Sequence, residues 1–387
     1  MSDARPHVLV ITRNLPPLLG GMERLNQRMI RSLVSYYNVA IIGPAGCGEY
    51  FRGDTVDVVE VPHRPLWRFI LHSLVQGMRL ARRKRPQIVI AGSGLTAPAT
   101  RVAAAIAGAR SVVYLHGLDL TVPNRLYRAC WLPFVRRMDL ALANSRNTAR
   151  LAFEKGVAAN RLQVLHPGTD LPVPDPVSGR NFRRDQGFGD RPILLSVGRL
   201  TRRKGLAEFV KEALPAILST HPQALLLVIG EEASNALNAS ADSERERIME
   251  SARKAGMADA VRILPHCDEA MLSAAFRAAD VYVFPVLAVP GDVEGFGMVA
   301  IEAAAHGLPT VAFGVGGVPD AVIEGQSGSL VAERDYDGFA SRIGYWLSLR
   351  DEPEVATRCV EAAAPFRWDV FGQRLRELLQ VRPGDRQ

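Results

Sequence analysis

The segment Ile193-Leu-Leu-Ser-Val-Gly-Arg-Leu-Thr-Arg-Arg-Lys-Gly205 decides the fold of this chain. Its first five residues form an apolar run typical of a buried strand, and a helix is predicted over residues 205–219. The preceding residues 170–192 gather Pro, Gly and charge and lose all periodicity, so we place an interdomain linker there. The pattern of strand and helix therefore starts a second time at Ile193, which predicts two domains.

Short apolar runs alternate with helical patterns on both sides of this linker. Strands are predicted at residues 7–12, 39–42, 56–61, 88–91, 112–115, 140–143 and 163–165, and then at 193–197, 224–229, 261–264, 281–284 and 310–313. Helices are predicted at residues 22–35, 66–84, 96–107, 123–137 and 145–155, and then at 205–219, 243–256, 268–278, 297–306 and 335–349. Such alternation predicts an α/β protein whose mostly parallel sheets carry helices on both faces.

The predicted domains are doubly wound and Rossmann-like. The first spans residues 1–175, the second spans 176–365, and an amphipathic helix within 366–387 is expected to cross back to the first. Open parallel sheets bind ligands at the carboxyl ends of their strands. The predicted active site is therefore a central cleft that the two domains face.

Composition restricts the class of protein. A chain of 387 residues with 48% hydrophobic content is too long for one ordinary core. The four cysteines lack disulfide or metal-ligand spacing, which fits a reducing compartment. No signal-peptide pattern precedes the first strand, and no apolar run approaches the roughly 20 residues that span a bilayer. We therefore expect a cytoplasmic protein.

The net charge of +7 is unevenly distributed. Residues 1–175 contain 23 Lys and Arg against 11 Asp and Glu, and the rest of the chain contains 24 against 29. Basic clusters at Arg79–Arg85 and Arg136-Arg137 have aromatic residues near them, which predicts contact with an anionic membrane surface on the inner face of the cell membrane. Solvated helix ends are the alternative interpretation. No nucleic-acid-binding module is recognisable.

The segment Asp292-Val-Glu-Gly-Phe-Gly-Met-Val-Ala-Ile-Glu302 places two carboxylates eight positions apart around a glycine-rich turn. With the helix starting near Phe296, Glu294 lies in the loop and Glu302 about two turns along the helix. Two acids at different depths could bind two different hydroxyl-bearing groups. The alternative is that they only complement the helix dipole.

Other polar residues follow predicted strand ends. Arg199 and Lys204 precede a helix N-terminus, and two cations with helix amides form a phosphate site by geometry. In the first domain, Gly20-Gly21 would let backbone amides approach a phosphate or sugar, with Glu23 directed to the same region. His116 and Asp119 follow the strand at 112–115, although a lone histidine is more often structural.

Together these motifs resemble the retaining glycosyltransferases of the GT-B fold, family 4, and bacterial GDP-mannose-dependent mannosyltransferases in particular. The resemblance covers nearly the whole chain and rests on the order and spacing of the motifs. They are Pro17–Glu23, His116–Asp119, Ala143–Ser145, Val197–Leu200 with Lys204-Gly205, Glu294–Glu302 and Gly316–Asp320.

The resemblance implies roles for individual residues. Gly198, Arg199 and Lys204 would bind the donor diphosphate, Glu302 the ribose hydroxyls, and Glu294 the transferred sugar. Backbone groups of Gly295, Phe296, Gly297, Met298 and Val299 would contact sugar and phosphate, and Gly20 and Gly21 would approach from the first domain. His116 would contact the sugar, whereas Glu23 and Asp119 would lie on the acceptor side.

The implied reaction transfers a hexose, with mannose favoured, from a GDP- or UDP-sugar to a glycan or lipid-linked acceptor in cell-envelope polysaccharide or glycolipid synthesis. The anomeric configuration is kept and the leaving phosphate takes the acceptor's proton, so no nucleophile is assigned. No Asp-x-Asp pair follows a strand, so neither metal nor cofactor is expected. One departure is Leu165-His-Pro-Gly-Thr-Asp170, which lacks the Asn that this family often has there.

Several alternatives stay open. Residues 265–268 are expected near the nucleotide base, but they do not decide between guanine and uracil. A sugar-nucleotide epimerase on the same fold would need an acid and a base for proton abstraction at carbon, and no such set is evident. A non-catalytic basic protein that binds a membrane surface would have no need of the residues predicted to bind diphosphate.

Overall fold

The computed structural model describes residues 5–232, 243–265 and 267–380. The chain forms two compact units. The first comprises the described parts of Met1–Gly168 and Trp368–Gln387 together with Pro290–Phe296, and the second comprises those of Thr169–Val289 and Gly297–Arg367. The short segment Pro290–Phe296 thus belongs to the first unit although its neighbours in sequence belong to the second.

The first unit is built on a parallel sheet of seven strands in the order β3-β2-β1-β4-β5-β6-β7. The strands are β1 His7–Ile11, β2 Asn38–Pro44, β3 Val56–Val61, β4 Ile88–Ala91, β5 Arg110–Leu115, β6 Leu140–Ala143 and β7 Leu162–Val164. The helices are α1 Gly21–Val34, α2 Leu66–Lys84, α3 Ala97–Ala107, α4 Leu118–Thr121, α5 Arg125–Cys130, α6 Leu132–Arg136 and α7 Arg146–Glu154. The central strands β1, β4, β5 and β6 are buried except at the first residues of β1 and β5, which explains their nearly continuous apolar sequence.

The second unit contains a parallel sheet of six strands in the order β10-β9-β8-β11-β12-β13. The strands are β8 Ile193–Val197, β9 Leu225–Ile229, β10 Val261–Leu264, β11 Val281–Phe284, β12 Thr310–Phe313 and β13 Gly328–Val331. The helices are α8 Pro176–Gln186, α9 Leu206–Glu212, α10 Leu214–Thr220, α11 Glu244–Lys254, α12 Glu269–Ala278, α13 Met298–Ala305, α14 Val318–Ala321, α15 Tyr336–Ser348 and α16 Pro353–Ala363. In both sheets the order of the strands reverses beside the first strand, β1 or β8, so that later strands are added on its other side. This order confirms the predicted doubly wound architecture.

Residues 170–192, which we assigned to the interdomain linker, contain a helix that their sequence did not predict, and this helix, α8, occupies their centre. The Asp175 carboxylate caps the helix by accepting hydrogen bonds from two backbone amides, and Gly187 ends it in the left-handed conformation. Phe182 is buried, and the Arg183 guanidinium pairs with Asp280 at 2.9 Å. Proline and glycine therefore mark the ends of a helix here. Phe182 is its one large buried apolar residue, so the sequence shows no helical periodicity of apolar residues.

Two predicted helices are each divided in the structure. The helix predicted at residues 123–137 becomes α5 and α6, with Pro133 in the first turn of α6. The helix predicted at 205–219 becomes α9 and α10, with Pro215 in the first turn of α10. A proline lacks the amide hydrogen that would continue the preceding helix, so each break lies just before one.

The last described helix, α17 Trp368–Gln380, packs in the first unit against α1. Phe371, Leu375 and Leu378 are buried, and Nη1 of Arg110 donates hydrogen bonds to the carbonyl oxygens of Leu378 and Leu379. The remaining residues of the predicted C-terminal segment, 381–387, lie outside the described residues. Among the described helices, none is long and apolar enough to cross a membrane.

Candidate functional site

Arg199 and Lys204, which we call the diphosphate clamp, follow the carboxyl end of β8 in the second unit. Gly198 comes first, with a φ of 138° that favours glycine, and its amide donates to the carbonyl oxygen of Ile229 at 3.0 Å. Arg199 is exposed, and Lys204 ends a single 3-10 turn that begins at Arg202. A small pocket here is lined by Ser196, Val197, Gly198, Arg199, Lys204, Leu206 and Val228. Both predicted cations thus border one depression at a strand end.

Two helices begin near the motifs predicted to bind the donor. Gly205 precedes α9 with a φ of 66°, and Gly297 precedes α13 with a φ of 95°. At neither helix start does a capping side chain accept a hydrogen bond from the first backbone amides of the helix. Met298 and Val299 form the first turn of α13, and Glu302 follows in its second turn, half-buried.

The aromatic residue Phe284, at the end of β11, contacts two of these motifs. It was not among the site residues predicted from the sequence. The Lys204 ammonium lies 4.6 Å from the centroid of its ring, within the range of a cation–π interaction. A Cβ at position 297 would lie 2.9 Å from Cε1 of the same ring, so the close approach requires glycine there. The signal was present, because Val281-Tyr-Val-Phe284 is an apolar strand with aromatic residues at alternate positions.

In the first unit, the Pro290–Phe296 segment packs against residues that follow β5 and β6. A Cβ at Gly295 would overlap the carbonyl oxygen of His116 and would lie 2.6 Å from Nδ2 of Asn144. Only glycine fits this approach. The structure therefore brings the loop that carries Glu294 together with His116 and Asn144.

Hydrogen bonds fix the orientation of the His116 side chain, which is 5% exposed. Its Nε2 lies 2.8 Å from the carbonyl oxygen of Gly92, so Nε2 carries the proton and donates it. The backbone amide of His116 donates to Oδ2 of Asp119 at 3.0 Å. Burial raises the pKa of the Asp119 carboxyl, while the nearby His116 and the backbone amides of His116 and Gly94 oppose that shift. Asp119, predicted on the acceptor side, thus holds the turn that carries His116.

Glu23 lies on α1 beside the predicted glycine pair. The residue is 8% exposed, and its Oε1 accepts a hydrogen bond from Nδ2 of Asn14 at 2.9 Å. Gly20 has a φ of 153°, and a Cβ there would lie 2.5 Å from Oε2 of Glu23. Helix α1 then begins at Gly21 without a side-chain cap. Asn14 was not predicted, because a single polar residue after a strand gives no pattern.

Two further predicted positions have different outcomes. The Phe296 ring is buried and stacks on His166 with 5.4 Å between ring centroids, so this side chain serves packing within the first unit. Of the predicted base-binding residues 265–268, His266 lies outside the described residues. Asp268 caps α12 by accepting a hydrogen bond from the amide of Met271 at 2.8 Å.

Two family models match this chain, one in each half. The model for Glycosyltransferase Family 4 matches residues 19–172, and the model for Glycosyl transferases group 1 matches residues 179–365. Together the matched segments include the described motifs from Gly20 to Glu302.

Individual proteins are also similar to this chain. The chain is 28% identical over 397 residues to a GDP-mannose-dependent alpha-(1-6)-phosphatidylinositol monomannoside mannosyltransferase of Mycolicibacterium smegmatis, covering 98% of this chain and 100% of the relative. It is 31% identical over 262 residues to D-inositol 3-phosphate glycosyltransferase 2 of Catenulispora acidiphila, covering 63% of this chain and 58% of that protein. Among solved structures, HepE of Anabaena in complex with UDP and glucose matches with a TM-score of 0.77 and 19% identity, over 97% of this chain and 100% of HepE.

Proposed function

Because the chain belongs to the family 4 glycosyltransferases and has their GT-B fold, we propose that it transfers a hexose from a nucleoside-diphosphate sugar with retention of anomeric configuration. The acceptor in this proposal is a glycan or lipid-linked molecule of the cell envelope. No metal ion or cofactor takes part.

The observation that carries the proposal is the arrangement at the end of β8. The two cations of the diphosphate clamp border one pocket, and α9 begins two residues after Lys204 without a side-chain cap. A leaving nucleoside diphosphate gains negative charge in the transition state, and cations together with the amides of a helix N-terminus stabilise that charge. Such an arrangement supplies the charge compensation that a divalent metal supplies in other transferases.

The remaining predicted residues receive binding roles in this proposal. Glu302 accepts hydrogen bonds from the ribose hydroxyls, and Glu294 binds hydroxyls of the transferred sugar. His116 presents its Nδ1 side to the sugar, because Nε2 is already committed to Gly92. Glycines 20 and 21 admit the donor phosphate or sugar close to the backbone at the start of α1. The leaving phosphate, rather than a side chain, takes the proton of the acceptor hydroxyl.

For the donor, we favour GDP-mannose or a related GDP-sugar over a UDP-sugar. The support is the similarity to a GDP-mannose-dependent enzyme along the whole of that relative. UDP-sugars remain the alternative donors, since the solved HepE structure contains UDP and glucose.

For the acceptor, we propose an anionic lipid or a lipid-linked glycan that the protein reaches as a peripheral membrane protein. Helix α2 supports this, because it buries Phe69 and Leu80 while Trp67 and Leu71 are 59% and 50% exposed. Its last turn adds Arg82, Arg83 and Lys84. Exposed aromatic and aliphatic side chains beside arginines are the composition of a helix that lies on anionic lipid.

The experiment that tests the proposed transfer compares wild type with Lys204→Met. Release of nucleoside diphosphate from GDP-mannose and UDP-glucose is measured with a membrane lipid extract as acceptor and excess EDTA. We expect turnover with one donor, and a loss of about 100- to 1000-fold in kcat for the variant. The control is Lys211→Met, which removes an exposed lysine of α9 that pairs with Glu212. Wild-type turnover in Lys204→Met would contradict the assignment.

A further inference from the structure

We infer that Tyr282 and Phe284, two aromatic residues of β11, are positioning residues for the diphosphate clamp. The inference rests on the proposed function, because it concerns how Arg199 and Lys204 are held in place. Residues two apart on a strand share a face of the sheet, so both rings project from the same side of β11. Each ring contacts a different part of the clamp segment.

Tyr282 holds the end of β8. Pairing between β11 and β8 joins Val281 to Leu194 and Tyr282 to Leu195. Val197 lies beyond these pairs, and the Tyr282 hydroxyl donates to its carbonyl oxygen at 3.1 Å and accepts from its amide at 3.3 Å. One hydroxyl therefore bonds both backbone groups of the residue that lies two positions before Arg199. The start of the clamp segment is tied to β11 by this side chain.

Phe284 holds the other end of the clamp segment. Its ring is 1% exposed and lies 4.6 Å from Nζ of Lys204, measured to the centroid. A lysine ammonium on a flexible stem loses rotamer freedom when it binds an anion. A fixed ring face that already orients the ammonium reduces this loss, because the negative face of the ring attracts the charge before the ligand arrives.

The two rings are themselves fixed by neighbouring aromatic side chains. Their centroids are 5.9 Å apart, and Phe276 of α12 lies 6.1 Å from Tyr282. His306 stacks on Phe276 at 4.9 Å. The ring that contacts Lys204 is therefore the last in a packed row that extends from α12, and it also borders Gly297 at the start of α13. A single aromatic side chain thus adjoins the starts of both helices that we assign to the donor.

The direct test replaces Phe284 with phenylalanines that carry one, two or three ring fluorines, introduced by nonsense suppression. Fluorination withdraws negative charge from the ring face with little change of shape, so it weakens the cation–π interaction in steps. We expect the affinity for GDP or UDP in calorimetric titration to fall stepwise, to a total of about two- to thirty-fold. Equal affinity across the series would overturn the role of Phe284. The matched control is fluorination of Phe339, a fully buried core residue of α15.

A double-mutant cycle separates positioning from packing. Phe284→Leu should weaken diphosphate binding in the wild-type background and leave it unchanged in Lys204→Met, because the ring acts through the ammonium. The same loss in both backgrounds would show that Phe284 only packs. For Tyr282→Phe, which keeps the ring, we expect weaker diphosphate binding with little change in binding of the nucleoside alone. Equal losses for nucleoside and diphosphate would overturn its role. Failure of the wild type to bind either diphosphate would instead remove the proposed function.

Discussion

At the scale of single residues, close contacts explain glycines that the sequence presents only as a motif. Gly295 was predicted because it stands between two acids, and the structure adds a second reason. A Cβ at this position would overlap the carbonyl oxygen of His116 and the side-chain amide of Asn144, which belong to distant parts of the chain. No sequence pattern contains that contact, because it depends on how the loop packs after folding.

Gly295→Ala is expected to lower activity strongly. The added methyl group would displace the loop that carries Glu294, and a displacement of about 1 Å near reacting groups costs about 100-fold in rate. Gly344→Ala in α15 is the control, since a Cβ there would lie 3.9 Å from Cε1 of His221, at an ordinary van der Waals distance. That change should leave kcat/KM unaltered and stabilise the helix by about 0.5–1 kcal/mol. Wild-type kcat/KM in Gly295→Ala would contradict the proposed role of this loop.

The half-buried residue His306 is expected to make the stability of the protein sensitive to acid. Burial lowers the pKa of its imidazole, and the nearby Arg277 adds to this, although the Glu302 carbonyl opposes it. The unfolded chain therefore binds a proton at higher pH than the folded chain does. The free energy of unfolding that neutral His306 contributes is present at pH values above the ordinary pKa of histidine. It is lost as the pH falls through the lower pKa that the imidazole has in the folded protein.

His306→Gln should accordingly flatten the decline in melting temperature between about pH 7 and pH 5, a range that brackets the ordinary pKa of histidine. The measurement is thermal unfolding across that range, with His221→Gln at the end of α10 as the control. An unchanged slope in His306→Gln would show that other groups cause the acid sensitivity.

At the scale of elements, the sequence predicted strands better than connections. Buried parallel strands are continuous apolar runs, so the bounds predicted for β3, β4, β6, β8, β10, β11 and β12 agree with the structure. Helix α8 was missed because most of its surface faces solvent and only Phe182 and Gly179 are buried. The short strand β13, Gly-Ser-Leu-Val, was missed because it has too few apolar residues to form a run.

Helix α2 carries the prediction for the membrane surface. The variant Trp67→Ser with Leu71→Ser should bind vesicles of anionic phospholipid at least about tenfold more weakly than wild type in sedimentation at low salt, because two exposed apolar side chains are lost. Phe153→Ser is the control, since that ring is 60% exposed on α7 of the same unit. If wild type failed to sediment with such vesicles, a water-soluble acceptor would become the better proposal.

At the scale of the whole molecule, architecture and family could be predicted, and substrate identity could not. Two runs of alternating strands and helices are long-range signals that survive errors at individual boundaries. Both sheets are parallel, and the second contains one strand more than predicted, β13. The assignment of Pro290–Phe296 to the first unit was not foreseeable, because local periodicity contains no information about which sheet a loop packs on. The choice between guanine and uracil as the donor base likewise depends on contacts that short loops make after folding.

Calorimetric titration of the wild-type protein with GDP and with UDP, in the presence of EDTA, tests the central claim most directly. We expect one diphosphate to bind at micromolar concentration, with GDP favoured, and we expect Lys204→Met to weaken that binding to a still measurable level while Lys211→Met preserves it. Binding of neither diphosphate to the folded wild-type protein would contradict the claim that Arg199 and Lys204 form a site for a nucleoside-diphosphate sugar.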